Sequence, residues 1–312
     1  VSAGEVLAVE AAGILFQNPV LLASGTAAYG RELDGVIALD SLGGLVTKAV
    51  SPRPRAGAPP LRVADFPGGM INAVGLANPG LEAVRRDEMP WLAANLSRAR
   101  VLVNVIGDTV EEYADVVRGL DATAGLHGFE LNVSCPNVKA GGMEFGADPR
   151  TLSDVVRGAR AATKLPIFVK LSPTLADIGA SARTCMDAGA DGITVVNTIP
   201  GLVVDVAERR PVLGFGTGGV SGPGLLPVGV LAVWRVRKVV AKSVPVIGVG
   251  GVSTAEDAMQ YLVAGATLVA VGTAAMRDPR APERIVRGLA EWCEREGVRS
   301  IGAVTGTLEW PS

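Results

Sequence analysis

Cysteine, histidine and aromatic residues are scarce in this chain of 312 residues: three cysteines, one histidine and 4% aromatics. Cys135, Cys185 and Cys293 are an odd number spread along a long sequence. They make a poor basis for a disulfide framework and fit a reducing compartment. A four-cysteine cluster motif is missing, and the only histidine, His127, has no cysteine close to it in sequence. No metal site is therefore expected, and a Cys–His hydrolase pair is not visible. Charge of one sign is lacking too: 29 basic residues face 31 acidic ones, for a formal net charge of -2, without a long run of either. That balance speaks against a nucleic-acid partner and against a polybasic membrane segment. No stretch reaches the ~18 consecutive apolar residues of a membrane span, and a basic region followed by an apolar run is absent from the start. The expected setting is the cytoplasm, with neither membrane nor nucleic acid as partner.

Apolar residues and glycine are plentiful: 48% of the chain is hydrophobic and 40 residues are glycine, roughly twice the usual share of about 7%. The glycines follow no three-residue period, which excludes collagen. Eight short apolar runs recur instead, at 19–24, 44–50, 101–106, 128–134, 166–172, 191–197, 244–249 and 267–273. They are rich in Val, Ile and Leu and mostly continuous, as parallel strands buried on both faces are. Helical patterns lie between them, at about 31–40, 79–97, 109–124, 149–163, 175–188, 224–241, 254–264 and 281–296. Thr109 before Glu111-Glu112 and Thr254 before Glu256-Asp257 read as helix starts; Gly189 and Gly265 read as stops. Eight strand–helix pairs predict an α/β fold, a single (β/α)8 TIM barrel spanning 1–312 as one domain. Two connections, 51–78 with its prolines and 198–223 with its glycines, are too long for plain loops. Both follow strand C-terminal ends, where barrel active sites lie.

The predicted strand ends carry Lys48, Asn104, Asn132, Lys170, Asn197-Thr198, Gly250-Gly251 and Gly272-Thr273, with Ser134-Cys135 just past the fourth strand. A lone amide at a barrel mouth is often satisfied by loop backbone. Six such polar groups on one rim make that explanation poor, because each costs a few kcal/mol to bury unpaired. The two glycine turns after strands seven and eight stand where barrels frequently hold a phosphate, so a phosphorylated ligand is expected. Cys185 and Cys293 lie in helical patterns beside Met186 and Trp292 and read as small buried hydrophobes. Cys135, between amides and followed by Pro136-Asn137, reads as a nucleophile or a general base. His127 precedes the fourth strand, at the opposite end of the barrel, and reads as structural.

The elements NVSCPNVK (132–139) followed by Gly141-Gly142, NAVGL (72–76) with Asn78-Pro79-Gly80, Asn197-Thr198, and Val220-Ser221-Gly222-Pro223 resemble dihydroorotate dehydrogenase. The resemblance runs from about residue 15 to about residue 288. A cysteine in the base position is similar to class 1 of that family, and Asn137-Val138-Lys139 with the following Gly-Gly to its NAD-linked subclass 1B. The resemblance implies oxidation of (S)-dihydroorotate to orotate, with Cys135 removing a proton from C5 while C6 gives hydride to N5 of FMN. It implies FMN contacts at Ser24, Lys48, Ala49, Asn104, Asn132, Lys170, Val196, Gly222, Gly250, Gly251, Gly272 and Thr273. Substrate contacts are implied at Lys48, Asn72, Ala73, Val74, Gly75, Leu76, Asn132, Asn137, Asn197 and Thr198. Since the sequence has neither a dinucleotide-binding unit nor a cluster motif, it also implies a partner, an iron–sulfur flavoprotein with FAD and a 2Fe-2S cluster. The expected assembly is a heterotetramer built on a homodimer of this chain. One departure is the apolar stretch 224–230, where the family usually carries a more polar start with a lysine. Other readings stay open: a fumarate-using class 1A enzyme or related pyrimidine reductase, a Schiff-base isomerase or aldolase acting through Lys48 or Lys170, and a non-catalytic nucleotide-binding barrel.

Overall fold

The computed structural model describes residues 3–134, 136–137 and 143–311. Eight strands form a closed barrel: β1 (Val20–Leu22), β2 (Gly44–Val46), β3 (Arg100–Val105), β4 (Gly128–Asn132), β5 (Ile167–Leu171), β6 (Gly192–Val195), β7 (Val246–Val249) and β8 (Leu268–Val271). Each pairs in parallel with its neighbours, and β8 returns to β1 through Val269↔Val20 and Val271↔Leu22. All eight predicted runs thus lie in the barrel wall, trimmed at one or both ends, with β3 beginning one residue early at Arg100. Nearly every strand residue is buried, which explains why the runs are continuous rather than alternating.

Around the barrel pack α1 (Met89–Asn95), α2 (Val110–Leu120), α3 (Pro149–Ala162), α4 (Ile178–Asp187), α5 (Leu226–Arg237), α6 (Ala255–Ala264), α7 (Thr273–Arg277) and α8 (Ala281–Arg295). Their start signals work as the sequence suggests. Thr109 Oγ1 accepts from the Glu112 N–H, and Thr254 and Asp257 form a reciprocal capping box. Gly265, at φ 119°, closes α6 in the left-handed region.

Three expectations need correction. The helix expected at 31–40 is two 3₁₀ turns, Arg31–Leu33 and Leu39–Ser41, because Gly35 at φ 71° interrupts it. The one expected at 79–97 is broken into Leu81–Ala83, a π-helical turn Val84–Glu88 and α1, with Pro90 admitted only in the first turn of α1. The 224–241 pattern begins as a 3₁₀ turn, Pro223–Leu225, before α5. Val228 and Leu231 of α5 are exposed, so the apolar departure at 224–230 forms part of an outer apolar face.

The two long connections build one structure together. Val63–Phe66 and Gly69–Asn72 from the first, and Ile199–Gly201 and Gly218–Ser221 from the second, form a four-stranded antiparallel sheet. Arg277 at the end of α7 fastens it to the barrel, donating to Asp65 Oδ1 at 2.6 Å and to the Gly69 carbonyl at 2.9 Å. Beneath the opposite end of the barrel, Val9–Ala11 and Ile14–Phe16 form a hairpin.

His127 stands just before β4. Its Nδ1 accepts from the Val101 N–H at 3.1 Å, and Arg100 lies 3.2 Å from Nε2. Burial first, and the Arg100 charge second, hold its pKa below the ordinary 6.5. The folded state thus takes up a proton there less readily than the unfolded chain. Stability contributed by neutral His127 is present above pH ~6.5 and is lost as pH falls from there through the lowered folded value. Urea unfolding followed from pH 8 to pH 5 should show this loss, and His127→Gln should flatten that part of the profile.

Candidate functional site

Barrel closure brings the C-terminal ends of β1 to β8 to one rim, and the polar residues of that rim meet there in pairs. Lys170 on β5 is 7% exposed, and its Nζ donates to Ser24 Oγ, just past β1, at 3.1 Å. Asn104 on β3 donates from Nδ2 to Glu130 Oε1 on β4 at 2.7 Å. Asn197, past β6, donates to Asn132 Oδ1 at 3.3 Å, while Asn197 Oδ1 accepts from the Thr198 N–H at 2.8 Å. Tyr113 of α2 holds the Asn132 carbonyl from outside the barrel at 2.8 Å. Thr273 Oγ1 donates to Ser221 Oγ of the antiparallel sheet at 2.8 Å.

These groups surround a cavity of about 410 Å³. Its floor is the barrel rim and one of its sides is the antiparallel sheet, through Val63, Met70, Asn72 and Ser221. The backbone of Gly250, Gly251 and Gly272 supplies another side. A Cβ on Gly272 would stand in near-open space, 3.7 Å from the nearest atom, Ala23 Cβ, whereas one on Gly251 would meet the Leu226 nitrogen at 2.5 Å. Tyr261 of α6 anchors this glycine turn by donating to the Gly250 carbonyl at 2.7 Å. A second, outer cavity of about 580 Å³ shares Asn72, Ala73, Gly75, Ser134, Asn197 and Thr198 with the first and adds Glu144, Ser172 and Phe215. Burial pushes the Glu144 carboxyl above its ordinary value, opposed by a hydrogen bond from Ser172. Among the described residues, Ser134 Oγ is buried without a hydrogen-bond partner although it borders both cavities. A phosphate or ring-carbonyl ligand has charge, amides and bare backbone to meet here.

The sequence model of the family described as Dihydroorotate dehydrogenase matches residues 6–292. This chain belongs to the dihydroorotate dehydrogenase family. It is 46% identical over 299 residues to the protein of Desulforudis audaxviator named "Dihydroorotate dehydrogenase B (NAD(+)), catalytic subunit", covering 96% of both chains. Proteins of the same name from a Geobacter species and from Pelobacter propionicus are each 44% identical to it over 303 residues. Those alignments take in 97% of this chain and 98% of each relative.

In this member of the dihydroorotate dehydrogenase family, the structure gathers most of the residues singled out from sequence. Ser24, Lys48, Ala49, Asn104, Asn132, Lys170, Val196, Gly250, Gly251, Gly272 and Thr273 all line the inner cavity, as do Asn72, Ala73, Val74, Gly75, Leu76, Asn197 and Thr198. Gly222 does not; it is buried beside Gly69, one residue behind the lining Ser221. Cys135 lies outside the described residues, as does the side chain of Asn137. Sequence reasoning missed Thr26, Val63, Met70, Ser134, Leu225 and Met276 on the inner wall, and Glu144 on the outer one. Ser134 was within reach as the neighbour of Cys135. Val63 and Met70 sit on a hairpin whose second strand, 69–72, pairs with a segment some 150 residues away, which no local pattern reveals. Cys185 and Cys293 are buried, and burial raises both thiol pKa values, in keeping with inert packing roles.

Tyr261→Phe keeps the ring and removes the donor to Gly250. It should cost about 1 kcal/mol of unfolding free energy, the usual net worth of one such bond, measurable by urea titration.

Proposed function

We propose that this chain oxidises (S)-dihydroorotate to orotate in pyrimidine biosynthesis, as an FMN-dependent dehydrogenase of the NAD-linked type. The observation that carries the reading is the convergence of two lysines and four amides on one cavity at the rim of a family barrel. FMN suits that cavity: the Gly272 backbone leaves room for a phosphate beside the Gly250-Gly251 turn that also lines it, and buried Lys170 has only a serine hydroxyl as its described partner. Ser24, Lys48, Ala49, Asn104, Asn132, Val196 and Thr273 line the space where its rings would lie, and Gly222, next to the lining Ser221, is a further contact. When bound, FMN supplies the hydride acceptor that the protein's own side chains lack.

The chain's residues then do the binding and the proton work. Lys48 meets the substrate carboxylate, an attraction suited to a point charge. Asn72, Asn132, Asn137, Asn197 and Thr198 offer donors and acceptors to a ring with two carbonyls and two N–H groups, while Ala73, Val74, Gly75 and Leu76 close over it. Cys135 takes the proton from C5 as its thiolate, while C6 loses hydride, so that one C–C single bond becomes double. Lys170 supplies positive charge where electron density accumulates. A further subunit, an iron–sulfur flavoprotein with FAD and a 2Fe-2S cluster, carries the electrons to NAD. The phrase "catalytic subunit" in the relatives' names supports such a partner. Two copies of this chain would form the core of that heterotetramer, each acting as one FMN-binding domain in the cytoplasm.

The test is the visible spectrum of the purified chain before and after anaerobic addition of dihydroorotate. A flavin band that bleaches is expected. A band that persists overturns the substrate, and a chain that cannot be reconstituted with FMN overturns the cofactor. Cys135→Ala should keep FMN and lose bleaching, and Cys135→Ser should retain a little. Because an ordinary thiol has a pKa of ~8.5, bleaching by the unmodified chain should quicken as pH rises toward that value. Gly272→Val places a side chain in the open space beside Ala23. It should weaken FMN binding about tenfold or more, the penalty of 1–3 kcal/mol expected for overfilling, as read by quenching of FMN fluorescence.

A further inference from the structure

Glu130 is a carboxylic acid in the middle of a barrel strand, 1% exposed, and nothing in the proposed chemistry uses it. Two residues along the same strand is Asn132, which lines the cavity, so by the two-residue alternation of a strand Glu130 faces the barrel interior one layer lower. Directly across the parallel ladder stands Asn104, in register with it. Asn104 is 1% exposed, donates from Nδ2 to Glu130 Oε1 at 2.7 Å, and also lines the cavity. Its backbone is held independently: the N–H donates to Thr47 Oγ1 at 3.3 Å, and the carbonyl accepts from Val50 at 2.8 Å.

An asparagine amide has two flip states of nearly equal shape, differing in whether nitrogen or oxygen faces a given neighbour. A carboxylate only accepts, so Glu130 admits one of them: the nitrogen faces down and the oxygen is left for the cavity. The opposite flip would set oxygen against carboxylate in a dry interior, where an unpaired acceptor is costly. We propose that Glu130 is a positioning residue, which fixes the flip state of Asn104 and thereby makes Asn104 present its amide oxygen to a ring N–H or hydroxyl of the bound cofactor. An acceptor in this place serves that purpose, since a hydrocarbon of equal size would leave the amide free to turn. The inference rests on the reading of the cavity as the FMN site, and concerns which hydrogen-bonding polarity one wall of that site offers.

Two mild substitutions separate positioning from a purely electrostatic role. Glu130→Gln keeps the reach but adds a donor beside the acceptor, so either flip state of Asn104 finds a partner, and Glu130→Asp keeps an acceptor-only group while withdrawing it by one methylene. Apoprotein is titrated with FMN, with fluorescence quenching as readout, for both variants and for each combined with Asn104→Ala. Positioning predicts about a twofold loss of FMN affinity for Glu130→Gln, because two flip states of nearly equal energy leave about half of the molecules competent. For Glu130→Asp it predicts a loss of about tenfold, as for a hydrogen bond to a charged group, and that loss should vanish once Asn104 is alanine. Glu130→Asp binding better than Glu130→Gln overturns the proposal, as does a Glu130→Asp loss that persists on the alanine background. The Asn104 side-chain amide signal in a nitrogen-15 spectrum of the apoprotein, identified by its disappearance in Asn104→Ala, gives a readout independent of FMN. It should shift or broaden in Glu130→Asp. If FMN fails to bind the unmodified chain while this signal still depends on residue 130, the cofactor reading fails and the positioning stands. An unmoved signal sinks the positioning, whatever FMN does.

Discussion

Eight parallel strands that close on themselves must all end on the same rim, and that constraint decides where polar chemistry can sit in this molecule. Inside the wall a buried amide or ammonium group is costly unless a hydrogen-bond partner meets it. Within the barrel, charge and hydrogen-bonding capacity concentrate at the strand C-termini, where neighbouring strands supply partners from a fixed register. Lys170 beside Ser24, Asn104 beside Glu130 and Asn197 beside Asn132 are each contacts between residues on or just past different strands. Shifting any strand by one residue would turn its rim residue from the interior to the helical layer. Closure and site geometry are therefore one property of the sheet.

The pairs at the rim also explain how a ligand site can exist before a ligand arrives. Each polar group is held by a neighbour through part of its bonding capacity, and the remainder faces the cavity. Among the described residues Ser134 Oγ, at the junction of the two cavities, and Thr194 Oγ1 on β6 are buried and unpartnered. Tyr113 and Tyr261 contribute from outside the barrel, each passing its hydroxyl to the carbonyl of a rim residue, Asn132 and Gly250. Their two helices thus brace the site's backbone from outside the barrel.

Much of this was legible in the sequence, and for definite reasons. Buried parallel strands leave continuous Val/Ile/Leu runs, so all eight appeared, and the residues at their ends fell on one cavity. Capped helices announced themselves through Thr109, Thr254 and Gly265. The helix pattern at 31–40 misled because four apolar positions occurred at helical spacing around Gly35, whose left-handed backbone the pattern could not show. The antiparallel sheet was hidden for a different reason: its central pair joins Asn72 to Gly219, and pairing at that separation leaves no local periodicity. Gly222, carried over from a motif, stands next to the lining Ser221 and close against Gly69.

That same sheet has a mechanical consequence. Because strands from both long connections share one hydrogen-bonded plate, joined where Asn72 pairs with Gly219, and Arg277 bolts the plate to the end of the barrel, the two connections cannot breathe separately. They form a fixed cornice over one side of the mouth rather than a pair of doors. Traffic into the inner cavity is thereby directed toward the outer one, through the shared passage between Asn72, Ser134 and Asn197.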